Sequence, residues 1–248
     1  MNAAFHAELI KLRRPRILAV TAALSLLFAV ATSLSVVLSA DDGSGLERAG
    51  GATEAFSIGL SFTGILVFVL FIANVAAEFS QGTFRTLLMR QPRRLSLLAG
   101  KITALLCFAA GLLAVVLALT WLVSTLVALW QGVETGAWLS ADGLAAAADA
   151  YARVLLSWCA WATLGMALAV VVRSAPVALG VGIAWSGPFE HILQDDWSAA
   201  GDWFPGLLLE GVVGEGGVEA RTVGVLVLYV ALAAAAAAVT LRTRDIAA

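Results

Sequence analysis

Hydrophobic residues form six long runs along this chain, and short polar segments separate the runs. About 20 apolar residues at about 1.5 Å each cross the roughly 30 Å hydrocarbon core of a bilayer. The pattern therefore predicts an all-α integral membrane protein with six transmembrane helices, folded as a single domain over residues 1–248. The predicted spans are residues 17–39, 56–77, 102–130, 152–172, 175–192 and 222–241.

Composition supports this class, because 61% of the residues are hydrophobic and only 13% are charged. Soluble domains are about 45–50% apolar and about 25% charged. The fifth run is short and contains Gly187 and Pro188, so its helix is expected to break near its end. Cys107 and Cys159 lie inside apolar runs, where we interpret them as small core residues.

The charged residues are distributed unevenly between the two sides of the six-span arrangement. Twelve of the 15 Lys and Arg residues lie before the first span, after the last, or in the segments that join spans two to three and four to five. Arg48, Arg153 and Arg221 lie on the opposite side with 14 of the 17 acidic residues. Because basic loops stay in the cytoplasm, both termini are predicted to be cytoplasmic and residues 193–221 to form an outer loop.

Several function classes lack the residues that they need. We find no ionisable residue near the predicted bilayer centre, which argues against an ion-coupled transporter. The chain has no Gly-x-x-x-x-Gly-Lys-Ser/Thr loop, so it is not expected to bind ATP by that route. His6 and His191 fall on opposite sides, so a histidine-based metal site is not expected within one copy. We therefore predict no catalytic residue, no bound metal or other cofactor on this chain, and no nucleic-acid partner.

The tryptophan residues fall in the outer halves of the predicted spans or in outer loops. This placement is typical of an aromatic belt at the membrane interface. In an alternative role, Trp185, Trp197 and Trp203 contact an apolar substrate or lipid at the outer leaflet.

The N-terminal segment, residues 1–16, is predicted to be an amphipathic helix that lies along the cytoplasmic interface. Its apolar residues recur at spacings of four and three, and the polar residues lie on other faces. The apolar stripe is Phe5, Leu9 and Leu12, and the polar residues are Glu8, Lys11, Arg13 and Arg14. A positive flank that only sets the topology remains the alternative.

Residues 78–101 form a basic, partly amphipathic segment between the second and third runs. Gly82 allows the chain to turn, and Phe84, Leu87 and Leu88 then recur at the spacing of one face of a short helix that Pro92 ends. A helix of about two turns is marginal alone, so this apolar face is expected to be buried. Either lipid or a cytoplasmic protein could cover it.

The same segment resembles the first cytoplasmic loop of the permeases of ABC-2 type transporters. The resemblance rests on the run Glu78-x-x-x-Gly82-Thr83-x-Arg85-x-x-Leu88, followed by Pro92, an arginine pair and Lys101. The sequence AELIKLRRPR near the N-terminus resembles their amphipathic connecting helix, and WFPG at residues 203–206 resembles their outer loop. The resemblance extends to the six-span layout.

The resemblance implies a short cytoplasmic coupling helix between spans two and three and an outer re-entrant segment between spans five and six. Residues 82–89 would seat in a cleft of a separate ATP-binding cassette subunit, and Glu78 would hold the loop to the helix bundle. The implied coupling residues are Glu78, Gly82, Thr83, Phe84, Arg85, Leu87 and Leu88, and the implied interfacial helix uses Phe5, Leu9, Leu12, Arg13 and Arg14.

By this resemblance the chain is the permease subunit of an ATP-driven exporter in the plasma membrane. It would move a hydrophobic or amphipathic substrate, such as a drug, lipid or peptide, out of the cell. ATP and Mg²⁺ would be bound by the partner ATPase, and a second copy or a paralogous permease would complete the assembly within the membrane lipid. The alternatives are a secondary transporter, channel-like or sensory module that works without an ATPase, and a membrane enzyme centred on Glu190 and His191.

Overall fold

A computed structural model of the chain describes residues 2–13, 15–39, 46–61, 63–83, 89, 94–197, 199–214 and 219–243. All regular secondary structure within these residues is helical. Helices α1 to α10 are, in chain order, Asn2–Leu12, Pro15–Ser39, Gly51–Ser61, Gly64–Ser80, Arg94–Gln131, Ala141–Val172, Ala175–Ala184, Glu190–Asp196, Pro205–Val213 and Ala220–Thr243. Short 3₁₀ helices lie at Gly136–Leu139 and Ala200–Asp202, and a π-helix lies at Trp185–Phe189.

Four of the described helices, α2, α5, α6 and α10, are long and apolar enough to cross a membrane. A fifth candidate is the pair α3 and α4, which meet at an angle of 45°. Large apolar side chains such as Leu27, Leu126 and Leu228 are exposed on the long helices, where a bilayer would cover them. The protein is therefore helical and membrane-embedded.

Two of the long helices begin earlier than the predicted spans. Helix α5 begins at Arg94, inside the predicted 78–101 loop, and α6 begins at Ala141. The hydroxyl of Ser140 caps α6 by accepting a hydrogen bond of 3.1 Å from the N–H of Gly143. At 1.5 Å per residue, the 32 residues of α6 extend about 48 Å, which exceeds the roughly 30 Å hydrocarbon core. Helix α6 is therefore longer than one perpendicular crossing of the hydrocarbon core requires.

The predicted second span is divided into two helices near Thr63. The hydroxyl of Thr63 donates to the carbonyl of Leu60 at 2.9 Å and accepts from the indole N–H of Trp158 at 3.3 Å. A single uninterrupted helix was expected here from the apolar pattern alone. The side-chain contacts of Thr63 now link the bend to α6.

The predicted fifth span continues through the Gly187–Pro188 dipeptide as a π-helix instead of ending there. Proline has no N–H and cannot continue the ordinary α-helical hydrogen-bond ladder. The N–H of Glu190 donates to the carbonyl of Trp185, five residues earlier, and α8 begins directly afterwards. The expected irregularity is therefore present, but the chain keeps a helical path into α8.

One of the hydrophobic clusters of the bundle lies where α4, α6 and α7 meet around Phe68. The rings of Phe68 and Trp161 pack edge to face with their centroids 5.1 Å apart. Glycines on the neighbouring helices make room for Phe68: a Cβ on Gly165 would lie 2.7 Å from its carbonyl oxygen, and a Cβ on Gly182 would lie 2.7 Å from its ring. Small residues at helix contacts allow close approach in membrane proteins.

We predict that Gly165→Leu destabilises the bundle by about 1–3 kcal/mol, because the added side chain overpacks the contact with Phe68. The measurement is the midpoint of thermal unfolding of the purified protein in detergent. Gly111→Leu is the matched control, since no heavy atom lies within 4 Å of a Cβ at Gly111. Equal midpoints for the two variants would contradict this packing.

Candidate functional site

Two residues that follow helix α4, a glycine and a threonine, form hydrogen bonds with its last turn. Gly82 has a φ of 68°, a left-handed conformation that glycine adopts without strain, and its N–H donates to the carbonyl of Phe79 at 3.2 Å. The hydroxyl of Thr83 donates to the carbonyl of Glu78 at 3.3 Å. The prediction that Gly82 turns the chain after Glu78 is confirmed. These contacts end α4 at the start of the 78–101 segment.

A buried lysine joins the two ends of this loop to the N-terminal helix. The ammonium group of Lys101, in α5, donates to the carboxylate of Glu78 at 2.5 Å and to the amide oxygen of Asn74 at 3.1 Å, both in α4. It also donates to the carboxylate of Glu8, in α1, at 2.6 Å. We call these four residues the Lys101 cluster. The cluster ties together three helices that are separated along the chain.

The number of N–H donors on the Lys101 ammonium group equals the number of acceptors around it. An ammonium group has three N–H donors, and the three acceptors of the cluster use all of them. Lys101 is only 2% exposed, Glu8 4% and Glu78 8%, so both ion pairs are shielded from solvent. Buried charges are tolerated when they are paired in good geometry, and removal of one partner is costly. The cluster therefore holds its three helices in one arrangement.

The structure brings together some of the predicted loop residues and leaves others undescribed. Glu78 belongs to the Lys101 cluster, and Gly82 and Thr83 lie directly beside it. The predicted coupling residues Phe84, Arg85, Leu87 and Leu88 lie outside the described residues.

Within the N-terminal helix, Phe5 and Leu9 are half-buried and Arg13 is exposed. Glu8, which was expected on another face, is buried instead. It lies three residues after Phe5 and so shares the side of α1 that packs along α5. Leu12 is helical but its side chain lies outside the description, as does the whole of Arg14.

Sequence reasoning missed Glu8 and Lys101 as partners. One signal was available, because Lys101 stands at the start of an apolar run, where a charge is costly unless it is paired. The spacing of residues 5, 8, 9 and 12 in α1 was a second signal, since it places Glu8 within the apolar stripe. The sequence did not indicate that Glu8 and Lys101 contact each other, because 93 positions separate them.

A second contact connects the start of the loop to α6. Arg173 follows the last residue of α6 with a φ of 57°, and its guanidinium lies 5.6 Å from the ring centroid of Phe79. This distance is typical of a cation–π interaction. Phe79 follows Glu78 directly. The last turn of α4 therefore contacts α5 through Glu78 and the end of α6 through Phe79.

The predicted outer residues Glu190 and His191 lie beyond the far end of α7 and contact different partners. Glu190 is fully buried, and its carboxylate accepts a hydrogen bond of 3.1 Å from the N–H of Leu207 in the first turn of α9. A carboxylate at a helix N-terminus satisfies donors that have no partner within the helix. Gly206 leaves room for this approach, because a Cβ there would overlap the carboxylate oxygen of Glu190 in its observed position. Glu190 therefore fastens α9 to α8.

His191 pairs instead with Glu210 on α9. Its Nδ1 lies 2.7 Å from the carbonyl oxygen of Gly187, which can only accept, so Nδ1 carries a hydrogen. Its Nε2 lies 3.3 Å from the Glu210 carboxylate, a contact that is an ion pair when the imidazole is protonated. Burial raises the pKa of the Glu210 carboxyl above its usual range, although His191 opposes the shift. His191 thus provides a second contact between α8 and α9.

The three predicted outer tryptophans are partly exposed and lie in two groups. Trp185 packs on Phe189 and Phe204, with centroids 4.8 Å and 6.1 Å apart, and Trp197 packs on the same Phe204 at 5.7 Å. Trp203 instead lies under the guanidinium of Arg221, 5.3 Å from its ring centroid. Within the described parts of the chain, no three His, Cys, Asp or Glu side chains are grouped to hold a metal ion.

Comparison with known proteins gives a family for this chain. Residues 17–183 match the family described as Protein of unknown function (DUF2705), which is more than half of the chain. The chain belongs to this family. The match extends from α2 into α7 and so includes Asn74, Glu78 and Lys101 of the Lys101 cluster. No curated protein matches this DUF2705 member.

We predict that Lys101→Met lowers the stability of this DUF2705 member by about 3–5 kcal/mol, because two buried carboxylates lose their shared cation. Thermal unfolding in detergent measures the effect. The triple variant with Glu8→Gln and Glu78→Gln added removes the uncompensated charges and should recover most of the loss. An unchanged midpoint for Lys101→Met alone would contradict the description of this cluster.

We also predict that Gly206→Ala weakens the attachment of α9, because the new methyl group displaces the Glu190 carboxylate. Hydrogen exchange of the α9 amides should become faster than in the unmodified protein. Gly211→Ala is the control in the same helix, since the position is open, and alanine there favours the helix by up to about 1 kcal/mol. Identical exchange in both variants would count against the contact.

Proposed function

We propose that this protein is the membrane-spanning permease subunit of an ATP-driven exporter, similar to the permeases of ABC-2 type transporters. The observation that carries the proposal is the Lys101 cluster, which joins both ends of the 78–101 segment to the N-terminal helix. A force applied to a loop reaches the membrane helices only if the ends of the loop are firmly held. The cluster supplies that attachment through two buried carboxylates that share one ammonium group.

The proposed topology has six spans with both termini in the cytoplasm. The residues of α7, the π-helix and the start of α8 form the fifth span, and α9 returns towards the bundle as an outer re-entrant segment. The burial of Leu207, Leu208 and Leu209 in α9 supports such a segment, because these side chains pack inside the bundle. The charge distribution supports the orientation, with twelve of the 15 basic residues on the cytoplasmic side. The proposed location is the plasma membrane.

In the proposed mechanism, ATP is bound and hydrolysed by a separate ATP-binding cassette subunit. Residues 82–89 seat on that subunit, and its closure moves the loop. Because the Lys101 cluster links the loop to α1, α4 and α5, these helices move together with it. The contact between Arg173 and Phe79 extends the same movement to the end of α6. A second permease, identical or paralogous, completes the path.

The outer aromatic residues support an amphipathic substrate. Trp185 and Trp197 are nearly half exposed, and both pack on Phe204, so they present a rigid apolar surface beside α8. Such a surface can receive an apolar group that leaves the membrane. Trp203 is already covered in part by Arg221, so we assign it to the interface and not to the substrate.

A second candidate is a secondary transporter, or a channel-like or sensory module, that works without an ATPase. The buried Lys101 between two carboxylates favours it, because ionisable groups inside membrane helices often belong to ion or proton pathways. All three N–H groups of Lys101 are used in hydrogen bonds, however, which suits a fixed attachment better than a site that must change its protonation during transport.

We predict that replacing Phe84, Leu87 and Leu88 together with Asp abolishes co-purification with the ATPase subunit, because the apolar face that seats on it becomes charged. The measurement is the amount of ATPase recovered with the tagged permease from native membranes. Gln81→Asp, an acidic change at an exposed position in the same segment, should leave recovery within about twofold of the unmodified protein.

The same preparations separate the two candidate functions. Under the leading proposal, the unmodified chain alone in vesicles moves no substrate, and ATP-dependent transport requires the ATPase. Undiminished recovery of the ATPase with the triple variant would refute the coupling role of this face. Transport driven by an ion gradient in vesicles that contain the chain alone would favour the second candidate.

A further inference from the structure

A pocket of about 220 Å³ with both charged and apolar lining residues lies away from the Lys101 cluster, where the first turns of α3 meet α6 and the end of α9. Its volume is below the roughly 300–1,000 Å³ of sites for drug-sized ligands, so it suits one small polar group. Its charged lining residues are Arg48, Glu54, Asp149 and Arg153, and the hydroxyls of Thr53 and Ser57 also line it.

The four charged residues form two ion pairs on two separate elements. Arg48, just before α3, lies 3.1 Å from Glu54, and Arg153 lies 2.7 Å from Asp149 on α6. The pocket thus carries two positive and two negative groups and is neutral as a whole. An anion alone would be repelled by the carboxylates and a cation alone by the guanidinium groups. A small ligand that carries both charges matches the arrangement best.

The basic residues of this pocket are unusual for the side of the protein on which they lie. Of the 15 basic residues, only Arg48, Arg153 and Arg221 fall on the predicted side of the membrane where most of the acidic residues lie. Two of these three meet at one pocket although 105 positions separate them. An ordinary exposed ion pair contributes at most about 1 kcal/mol. Two exposed ion pairs therefore contribute little to stability, and this contribution does not explain why they face each other across one pocket.

The depth of the pocket points to a lipid. Asp149 and Arg153 flank the start of the apolar run that the sequence predicts as the 152–172 span. With that run across the hydrocarbon core, the pocket lies at the level of the phospholipid headgroups, whichever way the protein is oriented. Guanidinium groups bind phosphate through paired N–H donors, and carboxylates accept hydrogen bonds from a primary ammonium.

We infer that the pocket formed by Arg48, Glu54, Asp149 and Arg153 binds the headgroup of a zwitterionic phospholipid of the phosphatidylethanolamine type. The two arginines contact its phosphate and the two acids contact its ammonium group. The site does not depend on the ATPase or on the 78–101 segment. Its role is to hold one lipid where α3, α6 and α9 meet.

The test compares lipids bound to the purified full chain in detergent by native mass spectrometry. The probes are phosphatidylethanolamine, phosphatidylglycerol and water-soluble glycerophosphoethanolamine. The unmodified protein should retain phosphatidylethanolamine at least about tenfold more tightly than phosphatidylglycerol, since hydrogen bonds to charged groups discriminate on that scale. Arg48→Gln with Arg153→Gln should abolish this retention. Arg221→Gln is the matched control, because Arg221 pairs with Asp202 outside the pocket, and it should bind as the unmodified protein does.

A second double variant keeps the test decisive if the first does not fold. Glu54→Gln with Asp149→Gln leaves both arginines and should reverse the preference towards the anionic phosphatidylglycerol. The inference is overturned if Arg221→Gln loses phosphatidylethanolamine as strongly as the double arginine variant. It is also overturned if the acid variant keeps the original preference, or if glycerophosphoethanolamine binds as tightly as the lipid. None of these outcomes bears on recovery of the ATPase, so the proposed export function is tested separately.

Discussion

Burial of one ammonium group, that of Lys101, sets the arrangement of the end of the bundle from which the 78–101 segment leaves. A buried lysine must use its three N–H donors, and here the acceptors come from α1 and from two successive turns of α4. The cluster therefore favours one way for three helices to meet, since a shift of α1 or α4 would separate Lys101 from an acceptor. Its two loop residues, Glu78 and Lys101, are the first and last residues of the segment that interrupts the apolar pattern. A segment held in this way at both ends can transmit movement to the membrane helices, which is the physical basis of the proposed coupling role.

The other end of the bundle follows the same rule with different groups. The buried carboxylate of Glu190 accepts a hydrogen bond from the first turn of α9, and the imidazole of His191 lies 3.3 Å from the carboxylate of Glu210 on the same helix. These contacts fasten a short helix that could not be stable alone, because nine residues are too few for an isolated helix in water. In the middle of the bundle, close van der Waals packing depends on glycines, because Gly165 and Gly182 lie against Phe68. Polar contacts at the ends and close apolar contacts in the middle together define the bundle.

The residues of the candidate site differ in how far the sequence could predict them. Gly82 was predictable, because it follows the apolar run after polar residues and glycine adopts the left-handed conformation that ends many helices. The role of Glu78 in holding the loop to the bundle came from the resemblance to a family, and its partner was unknown. The ion pairs to Lys101 were not predictable, because pairing across 23 and 93 positions depends on how the helices fold together. The meeting of Arg48 and Arg153 at one pocket was hidden for the same reason.

The sequence alone determined that this protein is helical and membrane-embedded, because apolar runs of about 20 residues and the scarcity of charge are local properties. It also indicated an irregularity at Gly187 and Pro188, which follows from the missing N–H of proline. The tertiary structure decided the form of that irregularity, the bend near Thr63 and the early starts of α5 and α6. It also decided that Glu8 faces inwards. These outcomes depend on which partner reaches each polar group after the helices pack, and a linear pattern does not contain that information.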